Sequence, residues 1–336
     1  MINAPSVSVI VPVFNAGQGL ERSLKSLLDQ TLENLEIIVV NDASTDNSAA
    51  VLNRLASENR NIVVIHLAEN QGVHEARLAG LKKATAPWIG FLDADDFARP
   101  DMFERLLDVA DRQDVDIVVC GSWRVTSDRK PIAPKLRFKR SKKIDSDVFG
   151  KFCRFEFGTG MLWNKLYRRE VIDPWAAMHF PWRQNINEDL LLNIGCFQKA
   201  QAVFLLDEIL HEYVLNESSV TSTSDNAKAF VDTYRACALA VSIFSALGGD
   251  VMGKIIEMYR TQLSWDDYLI DDLNTVLAHE EKLKEAVDLI SRSYPPALAL
   301  LPARQTPVMV GARLAIKSLV YRCLSLAGIR PGFTRS

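Results

Sequence analysis

The first 120 residues alternate short apolar runs with amphipathic segments, and this alternation limits the folds open to the chain. The runs are rich in Val and Ile, as is typical of strands that are buried on both faces of a sheet. They lie at residues 7–13, 37–40, 62–65, 88–92 and 117–120. The segments between them, residues 20–28, 44–56, 73–84 and 101–112, have the apolar spacing of helices. We therefore predict an α/β fold with a mostly parallel sheet and flanking helices, which binds ligands beyond the carboxyl ends of its strands.

Composition narrows the functional class. The 39 Lys and Arg residues nearly balance 42 Asp and Glu residues, giving a formal net charge of −3, which argues against a dedicated nucleic-acid binder. The five cysteines are never closer than 33 residues, so no zinc-ligand spacing exists. A charge-free stretch at residues 236–249 is shorter than the ~20 residues of a membrane span. These features predict a cytoplasmic protein without a transmembrane helix.

Changes in sequence pattern predict two domains. A cluster of Ser, Thr, Asp and Asn near residue 224 separates an α/β domain, residues 1–223, from a mainly helical region, residues 224–336. Within the first domain, residues 124–143 contain nine Lys or Arg and one acid, which predicts an exposed loop or an edge hairpin. From residue 289 onward there are seven Lys or Arg and no acid. This tail is predicted either to pack as a final helix or to contact anionic lipid.

Acidic residues follow two of the predicted strands. Asp93, Ala94, Asp95 and Asp96 come directly after the strand at residues 88–92. Two carboxylates separated by one residue can hold Mg²⁺ or Mn²⁺, although they could instead cap the following helix. Asp42 ends another strand, where an acidic residue can accept hydrogen bonds from a ribose or a base, and Ser44–Asp46 are predicted to begin the next helix.

Two common phosphate-binding motifs are missing. Neither a GxGxxG pattern after the first strand nor a GxxxxGK[ST] loop occurs in the chain. Dinucleotide-dependent dehydrogenases and P-loop enzymes are therefore disfavoured. If a phosphate group binds at the predicted edge, a metal ion and side chains have to neutralise it.

Several ordered motifs together carry a family resemblance. They are VSVIVPVFN at residues 7–15, SLLDQT at 26–31, EIIVVNDASTD at 36–46, ENQGV at 69–73 with Arg77, and FLDADD at 91–96. WNKLYRR at residues 163–169 and the pair Glu188-Asp189 follow later. Over residues 1–222 the chain resembles family 2 glycosyltransferases of GT-A fold, in particular the members that build bacterial polysaccharides.

The resemblance implies an inverting, metal-dependent glycosyltransferase that moves a sugar from a nucleotide-sugar, with UDP-sugars favoured, to a hydroxyl of a glycan or lipid-linked acceptor. It places a nucleotide-binding half at about residues 1–120 and an acceptor half at about 121–223. It implies Asp189 as catalytic base and Asp95 and His211 as ligands of Mn²⁺ or Mg²⁺. The nucleotide would contact Pro12, Phe14, Asn15, Asp42, Arg77, Asp93 and Ala94, and the sugars would contact Trp163, Asn164, Lys165 and Glu188.

The chain departs from the family pattern at two positions, and alternatives stay open. Phe14 stands where the family usually has Tyr, and Val214 stands where it often has Arg, which removes one diphosphate contact. His211 and Lys165 are candidate substitutes for that contact. Packing competes with sugar binding for Trp163, Asn164 and Lys165, and helix capping competes with catalysis for Asp189.

Rival functions are a non-catalytic nucleotide-sugar or polysaccharide-binding partner and a sugar nucleotidyltransferase. Contact of the basic tail with the inner face of the plasma membrane, and a homo-oligomer, are further open alternatives.

Overall fold

A computed structural model describes residues 4–215, 226–265 and 278–300. The chain divides into two units. The first comprises Met1–Phe152, Glu156–Arg183 and Leu192–Glu217, and the second comprises Cys153–Phe155, Gln184–Leu191 and Ser218–Ser336. The boundary predicted near residue 224 lies outside the described residues, as does the part of the predicted basic tail after residue 300.

A ten-stranded sheet forms the centre of the first unit. Its strands are β1 (Val7–Val13), β2 (Leu35–Asn41), β3 (Ile62–His66), β4 (Trp88–Phe91), β5 (Phe97–Ala98), β6 (Ile117–Val125), β7 (Pro131–Leu136), β8 (Lys142–Ile144), β9 (Lys165–Arg168) and β10 (Val203–Val214). The main strand order is β3-β2-β1-β4-β9-β6-β10-β5. β1 pairs in parallel with β2 and β4, and β2 pairs in parallel with β3. This half of the sheet follows the predicted βαβ pattern.

The other half of the sheet is mixed. β9 lies between β4 and β6 and is antiparallel to both, whereas β6 and β10 run parallel to each other. Within the basic stretch, β7 pairs antiparallel with the end of β6, as in the edge-hairpin alternative, and β8 pairs antiparallel with the start of β10. β5 pairs with β10 through Ala98 and His211, so the residues after β4 lie beside the end of β10.

Among the described residues, seven helices lie wholly or partly in the first unit, and most of them pack on its sheet. They are α1 (Leu20–Leu28), α2 (Ser48–Glu58), α3 (Val73–Lys83), α4 (Met102–Gln113), α5 (Val148–Cys153), α6 (Arg169–Ile172) and α7 (Glu188–Lys199), with short 3-10 turns at Gly17–Gly19 and Asp173–Trp175. All seven residues of β1 are buried. α3 approaches β1 closely, since a Cβ at Gly80 would lie 2.5 Å from Ile10 Cγ2. The small residue at this position therefore sets the separation between helix and sheet.

The described part of the second unit is helical after residue 226. It contains α8 (Asn226–Phe244), a 3-10 turn (Ser245–Leu247), α9 (Gly249–Gln262), α10 (Glu280–Ser293) and α11 (Pro296–Leu300). α8 packs against α9 and α10, and an Arg235–Glu285 ion pair of 3.0 Å joins α8 to α10. Residues Ala227–Leu247 are long and apolar enough to cross a membrane by length and composition alone. However, 67% of the most apolar window of this helix is buried by the protein itself, so the feature is weak evidence for a span.

Candidate functional site

The loops that follow β1 and β2 are tied to each other by hydrogen bonds. The backbone N–H of Asn15 donates to Ser44 Oγ at 3.0 Å, and the backbone N–H of Thr45 donates to Asn15 Oδ1 at 2.7 Å. Asp46 accepts bonds from the backbone N–H groups of Gly17 at 3.0 Å and Ser48 at 2.9 Å. α2 therefore begins at Ser48, four residues later than predicted, because Ser44 and Thr45 bond to the neighbouring loop. The two loops form one edge of the site.

Asp42, at the carboxyl end of β2, is almost completely buried. Its two carboxylate oxygens accept hydrogen bonds from the backbone N–H groups of Gln71 at 2.7 Å and Gly72 at 2.8 Å. Gly72 has a φ of 95°, a conformation that L side chains rarely adopt. Asp42 therefore fixes the loop between β3 and α3, and its predicted contact with a nucleotide base stays a prediction.

Two other residues of the predicted base pocket differ in exposure. The Phe14 side chain, just beyond β1, is 49% exposed, which is unusual for so large an apolar group. Pro12 is buried within β1 and pairs in register with Val40. Phe14 therefore offers an open ring face at the ligand edge, whereas Pro12 shapes the strand beneath it.

The acidic turn, defined as residues 93–96, follows β4 at the same edge. Arg77 of α3 is buried and forms an ion pair with Asp93, with 3.0 Å between Nη2 and Oδ1. Asp95 is exposed at the surface, although protein atoms surround much of its carboxyl group. This desolvation, followed by repulsion from Asp93, raises the pKa of Asp95 to about 6. A nearby cation would therefore stabilise the ionised form of this carboxyl.

The donor set of the acidic turn fits a divalent cation that is shared with a ligand. Among the described residues, no group of three or more His, Cys, Asp or Glu is arranged to hold a metal ion by itself. Mg²⁺ is usually held by one or two carboxylates together with phosphate oxygens and water, and Mn²⁺ also prefers oxygen ligands. Asp95, with its raised pKa and exposed position, is the residue that meets this requirement.

Asp96 and His211 form a buried pair behind the turn. The backbone N–H of Val214 donates to Asp96 Oδ1 at 2.8 Å, and 3.4 Å separates Asp96 Oδ2 from His211 Nε2. Desolvation, then the charges of Asp93 and Asp95, raises the pKa of Asp96, while desolvation and then Lys135 lower the pKa of His211. The His211 ring is completely buried, so its placement favours a structural role over the predicted metal-binding role.

The predicted sugar-binding residues at the start of β9 lie in the interior. Trp163 stacks on His211, with 4.0 Å between the ring centroids. The Asn164 amide donates to the carbonyl of Cys120 at 2.9 Å, and the Lys165 ammonium donates to Asn164 Oδ1 at 2.9 Å and to the carbonyl of Met161. All three residues are buried, which favours the packing alternative. Lys165 and His211 are also poorly placed to replace the missing diphosphate contact.

Glu188 and Asp189 belong to the second unit and begin α7. Glu188 is buried, and Asp189 is half-buried in the first helical turn. The segment before them is anchored to α8, because Gln184 Nε2 donates to the carbonyl of Asp232 at 2.7 Å and Asn187 Nδ2 donates to Thr233 Oγ1 at 2.9 Å. Asp189 therefore sits on a well-held segment, and its role as catalytic base stays a prediction.

Sequence reasoning missed two residues beside the acidic turn. Tyr213 stands two positions after His211 on β10, and the Lys135 ammonium of β7 lies 3.9 Å from the Tyr213 ring centroid. Asp96, Asp95 and Asp93 all raise the pKa of Tyr213, after desolvation as the largest cause. In the sequence, nothing distinguishes Lys135 from the other basic residues at positions 124–143. Only the pairing of β7 with β6 indicates which of these cations reaches the site.

The fold and the site together define an α/β domain with an acidic ligand-binding edge. Residues 8–174, about half of the chain, match the sequence model described as Glycosyl transferase family 2. The uncharacterized glycosyltransferase EpsJ of Bacillus subtilis is 36% identical over 220 residues, covering 65% of this chain and 63% of EpsJ. The chain belongs to glycosyltransferase family 2. It spans less than two thirds of the length of this curated relative.

Solved structures show the same fold. TarS 1–349 of S. aureus in complex with UDP-GlcNAc matches with a TM-score of 0.68 and 19% identity, covering 98% of this chain and 94% of that one. The mannosyltransferase PcManGT of Pyrobaculum calidifontis, in complex with GDP-Man and Mn²⁺, matches with a TM-score of 0.52 and 15% identity over 97% of this chain and 86% of that one. The predicted GT-A architecture, with helices following it, is confirmed.

Proposed function

We propose that the protein is an inverting glycosyltransferase that moves a sugar from a nucleotide-sugar, favoured to be a UDP-sugar, to a hydroxyl group during polysaccharide synthesis. The observation that carries the proposal is the acidic turn. Its exposed Asp95 lies beside an Arg77–Asp93 ion pair, at the edge of the sheet where the strands bearing Phe14 and Asp42 also end. Family membership and the UDP-GlcNAc complex of a protein with the same fold support it.

The donor would bind with its base near Phe14 and Asp42 and its diphosphate near the acidic turn. The half-exposed Phe14 ring can stack on a base, as aromatic side chains do on nucleobases. Asn15 and the loop after β2 are mutually hydrogen-bonded, so this wall is ordered before a ligand arrives. The Arg77–Asp93 pair would orient Asp93 toward a ribose hydroxyl, and Ala94 leaves room in the turn for the nucleotide.

Asp95 would hold Mn²⁺ or Mg²⁺ against the diphosphate. When bound, such an ion supplies Lewis-acid stabilisation of the negative charge that develops on the leaving phosphate oxygen. With a pKa of about 6, Asp95 is mostly ionised at neutral pH, and a bound cation would stabilise that ionised form. The complex of PcManGT with GDP-Man and Mn²⁺, whose fold this chain shares, also supports a metal.

Asp189 would act as the general base. The acceptor hydroxyl attacks C1 of the donor sugar, its proton passes to a carboxylate oxygen of Asp189, and the electron pair of the C1–oxygen bond leaves with the diphosphate. Attack on the face opposite the leaving group inverts C1. The buried Glu188, which precedes Asp189, is proposed to contact donor-sugar hydroxyls, with flanking of the base as its alternative.

The acceptor would be a glycan or a lipid-linked sugar at the inner face of the membrane. Exposed cations at residues 137, 139, 140 and 142 give the β7–β8 connection a positive surface, which suits an anionic acceptor. We place the protein in the cytoplasm, with peripheral membrane contact as the alternative that an acid-free tail favours.

Donor turnover with matched Asp→Asn variants tests the proposal. Purified protein with Mn²⁺ is expected to release UDP slowly from one member of a UDP-sugar panel. Asp95→Asn should abolish metal-dependent donor binding, whereas Asp189→Asn should keep donor binding and lower turnover by about 10²–10⁴-fold, the usual scale of a general base. Asp111→Asn, on the exposed surface of α4, is the control. Unchanged turnover in both site variants would reject the assignment.

A further inference from the structure

A lysine on the edge hairpin is held against aromatic rings beside the acidic turn. The Lys135 ammonium lies 3.9 Å from the Tyr213 ring centroid and 5.9 Å from that of Trp163. Trp163 and Tyr213 are themselves stacked, with 5.9 Å between their centroids. A cation over an aromatic face is attracted by the ring quadrupole, which limits the positions that its flexible side chain takes. The Lys135 ammonium is therefore held over these rings before a ligand binds.

This aromatic platform adjoins the carboxylates of the turn. Trp163 also stacks on His211, whose Nε2 lies 3.4 Å from Asp96 Oδ2. Tyr213 is tied to the turn through the backbone, because the N–H of the next residue, Val214, donates to Asp96 Oδ1 at 2.8 Å. Lys135 and Tyr213 thus border the turn, and Tyr213 is only half-buried.

Three other cations of this region have partners of their own. Arg77 forms the 3.0 Å ion pair with Asp93, and Arg129 forms a 2.7 Å ion pair with Glu212. Lys165 is buried and donates to Asn164 and to a backbone carbonyl.

We propose that Lys135 is a diphosphate-binding residue of this enzyme, with its ammonium group completing the anion pocket on the β10 side of the acidic turn. The inference rests on the proposed function. When the bond between C1 and the phosphate oxygen breaks, the electron pair stays on the diphosphate, and Lys135 donates a charge-assisted hydrogen bond to that oxygen or its neighbours. No proton transfer is required of Lys135. Its contribution grows as charge develops on the leaving group.

Binding of UDP and of uridine, measured by calorimetry with Mn²⁺ present, separates this role from a structural one. Lys135→Ala is expected to weaken UDP binding by at least about tenfold, the scale of one charged hydrogen bond, and to leave uridine binding unchanged. Lys135→Arg should restore part of the UDP affinity. Lys83→Ala, which removes an exposed cation at the end of α3, is the matched control and should behave as wild type.

The outcomes distinguish this inference from the function on which it rests. If wild-type protein binds no nucleotide with Mn²⁺, the proposed function fails. If wild type binds UDP and Lys135→Ala binds it equally well, the role of Lys135 is refuted. Equal losses for UDP and uridine would also refute it, because Lys135 would then act through the fold. Lys135→Gln, which keeps most of the side chain over the rings, serves if the alanine variant does not fold.

Discussion

Asp42→Asn tests whether a buried carboxylate holds the loop that borders the nucleotide edge. The Asp42 side chain receives backbone N–H groups on both oxygens, at 2.7 Å from Gln71 and 2.8 Å from Gly72. Asparagine keeps one acceptor oxygen and replaces the other by an NH₂ group, which would face an N–H donor. The substitution changes the size of the side chain very little, so packing is preserved while one bond is lost.

The expected cost follows from burial. A hydrogen bond to a charged group contributes ~1.5–3 kcal/mol, and a buried donor left without its acceptor costs ~1–3 kcal/mol. Because these two effects overlap, we expect the free energy of unfolding to fall by ~2–4 kcal/mol. For a folding unit of roughly 200 residues, this corresponds to a lower melting temperature by about 5–12 °C.

Asp46→Asn is the matched control for this measurement. Asp46 also accepts two backbone N–H groups, from Gly17 at 3.0 Å and Ser48 at 2.9 Å, but its side chain is exposed. Water can replace a lost bond there, so we expect less than about 1 kcal/mol. Thermal unfolding followed by circular dichroism, with UDP affinity measured in parallel, gives both quantities. Equal melting temperatures for Asp42→Asn and wild type would refute the reasoning.

Three further predictions concern pH, packing and charge. Burial lowers the pKa of His74 from 6.5 to about 4. Between these two pH values the unfolded chain binds more protons than the folded protein, so the free energy of unfolding should rise with pH by up to about 3 kcal/mol. His74→Gln should reduce this dependence of the unfolding free energy on pH, measured from pH 4 to 7. A Cβ at Gly195 would overlap the Trp175 ring, so Gly195→Ala should cost ~1–3 kcal/mol of unfolding free energy, whereas Gly253→Ala, in open space on α9, should gain ~0.5–1 kcal/mol. Replacing the exposed cations of the β7–β8 connection, Arg137, Lys139 and Arg140, by Gln should weaken binding to a soluble polyphosphate and reduce the salt dependence of that binding. The control Lys284→Gln, on α10, should change neither.

Local pattern predicted the first half of the sheet because each strand there is a continuous apolar run. β1 to β4 and the helices between them follow the predicted ranges within a few residues. β9 was not predicted, since it is four residues long and contains two cations, Lys165 and Arg168. Its position between β4 and β6 is decided by pairing with residues far away in the chain. Such pairing leaves no periodic signal in the sequence.

Candidate site residues could be predicted where a residue type suited to catalysis or binding follows a strand. Their burial and hydrogen-bond partners could not be predicted. Asp42 and Asp95 both follow strands and both are acids, yet one is buried among backbone N–H groups and the other is exposed. Burial of His211 likewise depends on Trp163, which lies 48 positions earlier. Sequence motifs therefore indicate candidate residues, whereas burial and hydrogen-bond partners determine which of these residues can contact a ligand.

The three carboxyl groups of the acidic turn are placed in three different electrostatic environments. Asp93 is balanced by Arg77 at 3.0 Å, and burial favours the protonated form of Asp96. Three adjacent carboxylates would repel one another if all were charged and unpaired. Pairing one and burying another leaves Asp95 as the carboxyl of the turn that is both exposed and raised in pKa. At neutral pH this carboxyl is mostly ionised in surroundings that disfavour its charge, so a divalent cation shared with a bound diphosphate would stabilise the turn.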